Sequence, residues 1–242
     1  MKIHTLLLIG TIALLFTSCV NGYKIKGDTV YYYYANEGSG QHRRALMADA
    51  KTFKVLAYDA YAADAHTVFF EGEPIKGADA ASFEAVSPFY AHDKHLAWYG
   101  KDTIKTANGA TFKRINNYYS TDGKDVFYTT EPLQVRNVNQ FKFIQGENTF
   151  ATWATDGSFY YYNAAKIPSS DYAHLIIYPE SGGLASDRYD AYFMDHRLNY
   201  NLEGKKVIDT IDIGSFKVNG YLSCRDKLGC INVYHGRMKC GE

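Results

Sequence analysis

His92, Asp93 and His95 are the residues whose types and spacing first suggest chemistry. They stand in the stretch "FYAHDKHLAWYG" (89–100), with Trp98 and Tyr99 following at once. Two imidazoles bracketing a carboxylate could ligate a metal or exchange a proton. Zinc, however, needs a third and a fourth ligand at tetrahedral geometry, and the neighbouring sequence supplies neither. One Asp per turn is too thin for calcium, which wants six or more oxygens. No metal and no cofactor is therefore expected. The chain also carries no G-x-S-x-G, no Cys–His signature and no phosphate loop. Carboxylates for glycoside hydrolysis can lie far apart in sequence, and the non-repeated Glu37, Glu147, Glu180 and Glu203 sit in polar loops without a supporting motif.

The cluster changes meaning once the chain is aligned on itself. "ADAHTVFFEGEPIKGADAASFEAV" (63–86), "HDKHLAWYGKDTIKTANGATFKRI" (92–115) and "TDGKDVFYTTEPLQVRNVNQFKFI" (121–144) superpose without a gap. Asp64, Asp93 and Asp122 recur every 29 residues, as do Phe69-Phe70, Trp98-Tyr99 and Phe127-Tyr128. Ile75, Ile104 and Leu133 hold one register, and Phe83, Phe112 and Phe141 another. Ala63 and Thr121 stand at the place of His92, and His66 and Lys124 at that of His95, so only the Asp recurs in all three copies. An Asp at that place opens a tight turn, its carboxylate accepting from backbone two residues on. Weaker copies place Asp156 and Asp226 at the same duty. Each unit then reads as a hairpin of short β-branched and aromatic runs. Segments such as "ADAASF" and "ANGATF" read as a further turn, or one helical turn capped by Asp or Asn.

A unit of this length cannot bury its aromatic face alone and needs stacked neighbours. Tyr and Phe, at 22 and 14 copies, favour strands. The expected fold is all-β with one-turn helices: six to seven hairpin repeats over 27–240, stacked as a curved solenoid-like array. A propeller-like ring is the alternative.

Residues 1–18 read as a signal peptide and 19–26 as a tether. Lys2 precedes an apolar run from Leu6 to Phe16, long enough for a signal core and too short to span a bilayer. Leu15-Phe16-Thr17-Ser18-Cys19 resembles a lipobox, which implies acylation of Cys19. The expected partner is thus a membrane, through the acyl anchor, and the expected location the bacterial cell envelope. Lys+Arg and Asp+Glu balance at 26 each, which with that compartment speaks against nucleic acid. Three further cysteines remain for an oxidising compartment. Cys224 and Cys230 flank "RDKLG", a turn between two strands, and are the first choice for a disulfide; Cys230 with Cys240 is the rival.

Tyrosines are the best binding candidates. In "VYYYYAN" (30–36) and "FYYYN" (159–163), alternation sends neighbouring rings to opposite faces of a strand. Tyr32, Tyr34, Tyr160 and Tyr162 could present a platform for sugar or peptide, or simply pack between units.

The motif Asp-Lys-His-Leu-Ala-Trp-Tyr-Gly (93–100), with Ile104 and the Phe112 turn, resembles the DKNYY family of bacterial, often lipoprotein, sequences. "GADAASFEAV" (77–86) resembles that family's second element. The resemblance runs from about Gly27 to Cys240 and implies architecture and location rather than chemistry. The expected function is a lipid-anchored envelope repeat protein that binds or scaffolds a protein or glycan without catalysis. The alternative is an enzyme acting on cell-wall or exported polysaccharide through carboxylates of the non-repeated loops.

Overall fold

The computed structural model describes residues 21–36, 38–146 and 151–240. Among them the chain forms seven small antiparallel sheets, each with its strands in sequence order. No sheet closes into a barrel. The first has three strands, Gly22–Lys26, Thr29–Asn36 and Gly40–Ala45. The other six have four. The second joins Lys54–Val55, Tyr61–Ala63, Val68–Phe70 and Glu73–Pro74. The third joins Glu84–Ala85, Tyr90–His92, Ala97–Tyr99 and Asp102–Thr103. The fourth joins Lys113–Arg114, Tyr119–Thr121, Val126–Tyr128 and Glu131–Pro132. The fifth runs from Lys142–Gln145 to Ala165–Lys166, the sixth from Ile176–Ile177 to His196–Arg197, and the seventh from Lys217–Gly220 to Gly236–Met238.

The central hairpins share one register. Tyr61 faces Phe70, Tyr90 faces Tyr99 and Tyr119 faces Tyr128. One step further in, a small residue faces a large one: Ala62 with Phe69, Ala91 with Trp98, Ser120 with Phe127. The small side chain leaves room for the ring of a neighbouring sheet, as close packing requires. Tyr61, Tyr90, Trp98, Tyr119 and Phe127 are fully buried, and each such aromatic contributes about 1.5–3 kcal/mol of burial.

The segment between sheets supplies a second layer of rings. Short 3-10 turns stand at Gly109–Thr111, Val138–Gln140, Tyr172–His174 and Ile213–Ser215. Asn108, Asn137 and Asp212 cap three of them, satisfying N–H groups the turn leaves free. Each of those three ends in Phe. Phe83, which follows the corresponding turn before the third sheet, lies between Tyr61 and Trp98, with ring centres 5.7 and 5.4 Å away. It therefore joins the second sheet to the third. Phe53 does the same between Tyr23 and Phe69. Gly109 is required by space: a Cβ there would sit 2.3 Å from the Asp93 carbonyl oxygen and 2.4 Å from that of Leu96.

The cysteines pair differently from the first expectation. Cys230 is bonded to Cys240, with Cα atoms 5.0 Å apart, and Cys224 keeps a buried free thiol. Register explains the correction. Across the hairpin Cys224 faces Ile231, while Cys230 faces Arg225. Residues one step out of register project to opposite faces of a sheet. Cys230 and Cys224 therefore cannot meet, whereas the last strand, with Met238 facing Cys230, brings Cys240 within reach. Burial pushes the Cys224 thiol up to about 12.

Candidate functional site

The recurring aspartates close the hairpins. Asp93 Oδ1 accepts from the His95 and Leu96 N–H groups, both at 2.7 Å. Its Oδ2 accepts from the Asp79 N–H at 2.9 Å, at the cap of the preceding turn. Asp64 and Asp122 repeat the arrangement, reaching back to Asp49 and Asn108. Asp156 reaches back to Arg136 and also accepts from the Tyr161 hydroxyl. Asp226 takes Asp212 N–H and Leu228 N–H, and both its oxygens meet Arg237 at 2.7 and 2.9 Å. Each carboxylate thus ties a hairpin to the segment before it. Burial works against the charged form of Asp64, Asp122, Asp156 and Asp226. The backbone N–H groups, with Arg237 at Asp226, outweigh it and hold all four below the usual carboxylate range. For Asp226 the value falls to about 2.

This arrangement accounts for the opening cluster. Asp93 is buried with both oxygens engaged. His92 packs against the Phe112 ring and stands 3.9 Å from Glu84, while the His95 side chain is exposed. Among the described residues no group of three or more His, Cys, Asp or Glu is placed to hold a metal. Asp187, in the weaker copy "SDRYDAYFMDH" from Ser186, does the same duty in the sixth sheet. It accepts from Tyr189 and Asp190 N–H and from the Ser169 and Tyr192 hydroxyls. Its "SDRYD" context carried the signal, an Asp five residues before the aromatic of the next strand.

The four candidate tyrosines do not form one platform. Tyr32 and Tyr162 are buried; Tyr34 is exposed, stacked on His42, and Tyr160 is half-buried, stacked on Tyr172. Tyr32 and Tyr34 stand in the first sheet, Tyr160 and Tyr162 in the fifth. Cys19 lies outside the described residues.

An aromatic surface forms elsewhere. Phe89 precedes the buried Tyr90, is 49% exposed, and stacks on Tyr99 with ring centres 5.6 Å apart. One repeat on, Tyr118 stacks on Tyr128 at 6.1 Å. The Phe89–Tyr99 pair lines two open clefts. One, of about 320 Å³, also has Phe70, Glu71, Lys101 and Asp102 on its walls. The other, of about 470 Å³, has Ser87, Asn117 and Tyr118. A further cleft of about 420 Å³ opens among Trp153, Tyr162, Gly183, Met194 and Tyr221. Glu73, at the rim of the first cleft, is paired with Lys101 and with Arg44. Phe89 was overlooked in the sequence because its place varies: Ala60, Phe89 and Tyr118 occupy it in turn. That variation beside an invariant buried Tyr is itself the mark of an outward position.

Backbone geometry shapes this edge. Gly100 N–H donates to the Phe89 carbonyl at 2.6 Å, and Thr129 N–H to that of Tyr118 at 2.7 Å. These residues turn left-handed, with φ of 62° at Gly100 and 51° at Thr129.

Fold and site together define an all-β protein of small antiparallel sheets with an aromatic edge. The DKNYY family model matches residues 8–102, a stretch that includes the motif at 93–100 and covers the first part of the chain. No curated protein and no solved structure matches the chain. Among the described residues no helix is long and apolar enough to cross a membrane.

Proposed function

We propose that this is a lipid-anchored cell-envelope protein that binds extended glycan strands along its aromatic edge and performs no catalysis. In this reading the sheets stack side by side as an open, solenoid-like array. Bonds between sheets that join sequence neighbours support that arrangement: Tyr23 hydroxyl to Ala60, Tyr61 hydroxyl to Phe89, Tyr119 hydroxyl to Asn163, Leu222 N–H to Ser181. Cys19 carries the acyl chains that hold the array at the membrane.

The observation that carries the binding reading is the Phe89–Tyr99 stack. A half-exposed ring between two open clefts, with charged and amide groups at their rims, suits a sugar ring's apolar face and its hydroxyls together. The Tyr118–Tyr128 pair offers the same contact one repeat on, which suits a polymer rather than a single sugar. The test is cosedimentation with purified cell-wall glycan. Phe89→Ala should weaken binding roughly tenfold, the scale of one lost aromatic contact, with unfolding by urea nearly unchanged. Undiminished binding by Phe89→Ala, or release of new reducing ends from the glycan, would overturn it.

A further inference from the structure

The outer face of the first sheet combines exposed cations with tyrosine rings. Register sorts its residues cleanly. Val30 and Tyr32 are buried on the inner face, and Tyr23 and Ile25 pair with them. Lys24, Lys26, Tyr31, Tyr33 and Arg43 therefore share the outer face. Lys24 and Lys26 lie over the Tyr33 ring, 5.0 and 5.5 Å from its centre, and Arg43 lies 5.0 Å over Tyr31. All three cations are exposed, and among the described residues none of them takes part in an ion pair. The three strands contain no Asp or Glu. Lys26 and Arg43 also reach the Tyr33 hydroxyl, while Arg44, on the inner face, bonds the Glu71 carbonyl and Glu73.

The place of this face along the chain supplies the occupant. Gly22 opens the first strand three residues after Cys19. Three residues reach at most about 10 Å when extended. We infer that the outer face of the first sheet docks on a bilayer of anionic phospholipid, its cations meeting headgroup phosphates and its tyrosine rings the interfacial layer. The inference rests on acylation of Cys19, which puts the face within that reach. Long cationic side chains and tyrosines suit such a boundary because each has an apolar body and a polar end. Docking would orient the array against the membrane instead of leaving it free on its tether.

The test uses the full chain, expressed with its acyl anchor and placed in nanodiscs of phosphatidylglycerol and phosphatidylcholine in equal parts, or of phosphatidylcholine alone. Backbone hydrogen exchange of residues 22–45 is then followed. Three cations at an anionic surface, at about 1 kcal/mol each, shift docked over undocked roughly 100-fold. Exchange in 22–45 should therefore slow severalfold on the anionic discs only. High salt, or the triple variant Lys24→Gln, Lys26→Gln, Arg43→Gln, should remove the difference, while exchange in the seventh sheet stays as it was and reports an intact fold. An acylated chain with equal exchange on both discs overturns the docking alone. A mass without acyl chains on Cys19, with no retention on neutral discs, overturns the anchor and the docking with it.

Discussion

The hydroxyl of Tyr61 donates to the backbone carbonyl of Phe89, 2.6 Å away and 28 residues on. One fully buried side chain of the second sheet thereby holds the backbone under the exposed ring of the third. Tyr61→Phe removes that donor while the carbonyl keeps Gly100 N–H at 2.6 Å. The expected loss is about 1 kcal/mol, the net contribution of one hydrogen bond. Urea unfolding measures it, and an unchanged midpoint would show that the contact does not couple the sheets.

Acid should unfold the protein through its turn aspartates. Asp64, Asp122, Asp156, Asp187 and Asp226 are all held below the usual range. A carboxylate with a depressed folded value stabilises fully above its unfolded pKa of about 3.9. It loses that contribution as pH falls toward the folded value, here about 2 for Asp226. Stability should therefore drop between about pH 4 and pH 2. Asp226→Asn should flatten part of that slope and lower stability at neutral pH by about 1–3 kcal/mol, because it breaks the charged bonds to Arg237. Thermal unfolding across that range, for both chains, is the measurement.

Thr129 holds a strained position. A β-branched residue at φ 51° is disfavoured by about 1–2 kcal/mol, and the equivalent place one repeat earlier is Gly100. Thr129→Gly should relieve part of that strain and raise stability by up to about 1 kcal/mol. A lower melting temperature for the variant would mean that Thr129 side-chain contacts outweigh the backbone strain.

The disulfide should belong to the last strand. Peptide mapping without reduction is expected to recover Cys230 joined to Cys240. Cys224 should resist alkylation until the protein is unfolded, since its thiol is buried and raised to about 12. Cys240→Ser should destabilise by about 2–3 kcal/mol, on the scale of a short closed loop. A Cys224–Cys230 peptide would refute the register of the seventh sheet.

The motif at 93–100 was legible because its duties are local. Asp93 bonds N–H groups two and three residues away, so sequence spacing alone shows the turn. Its second oxygen was not legible: Asp79 lies 14 residues back and meets it only when the hairpin folds onto the preceding turn. The unit "SDRYDAYFMDH" from Ser186 reads as a weaker copy, but the partner of its Asp187 was not legible: a Ser169 hydroxyl, 18 residues back, stands where other copies offer a backbone N–H. The tyrosines of 30–36 and 159–163 drew attention through density. Density does not report burial, and Tyr32 and Tyr162 lie inside.

By itself the sequence determined the all-β class, the hairpin unit and its turns, since periodic side chains and Asp chemistry act over a few residues. It also marked the 29-residue interval at which Tyr61, Tyr90 and Tyr119 become buried. Only the tertiary structure decided which cysteines meet, which ring stays exposed, and which charges face outward together. Those outcomes depend on strand register and on contacts between sheets. A register one residue off would exchange Cys224 with Cys230, or Lys24 with Tyr23, between the faces of a sheet.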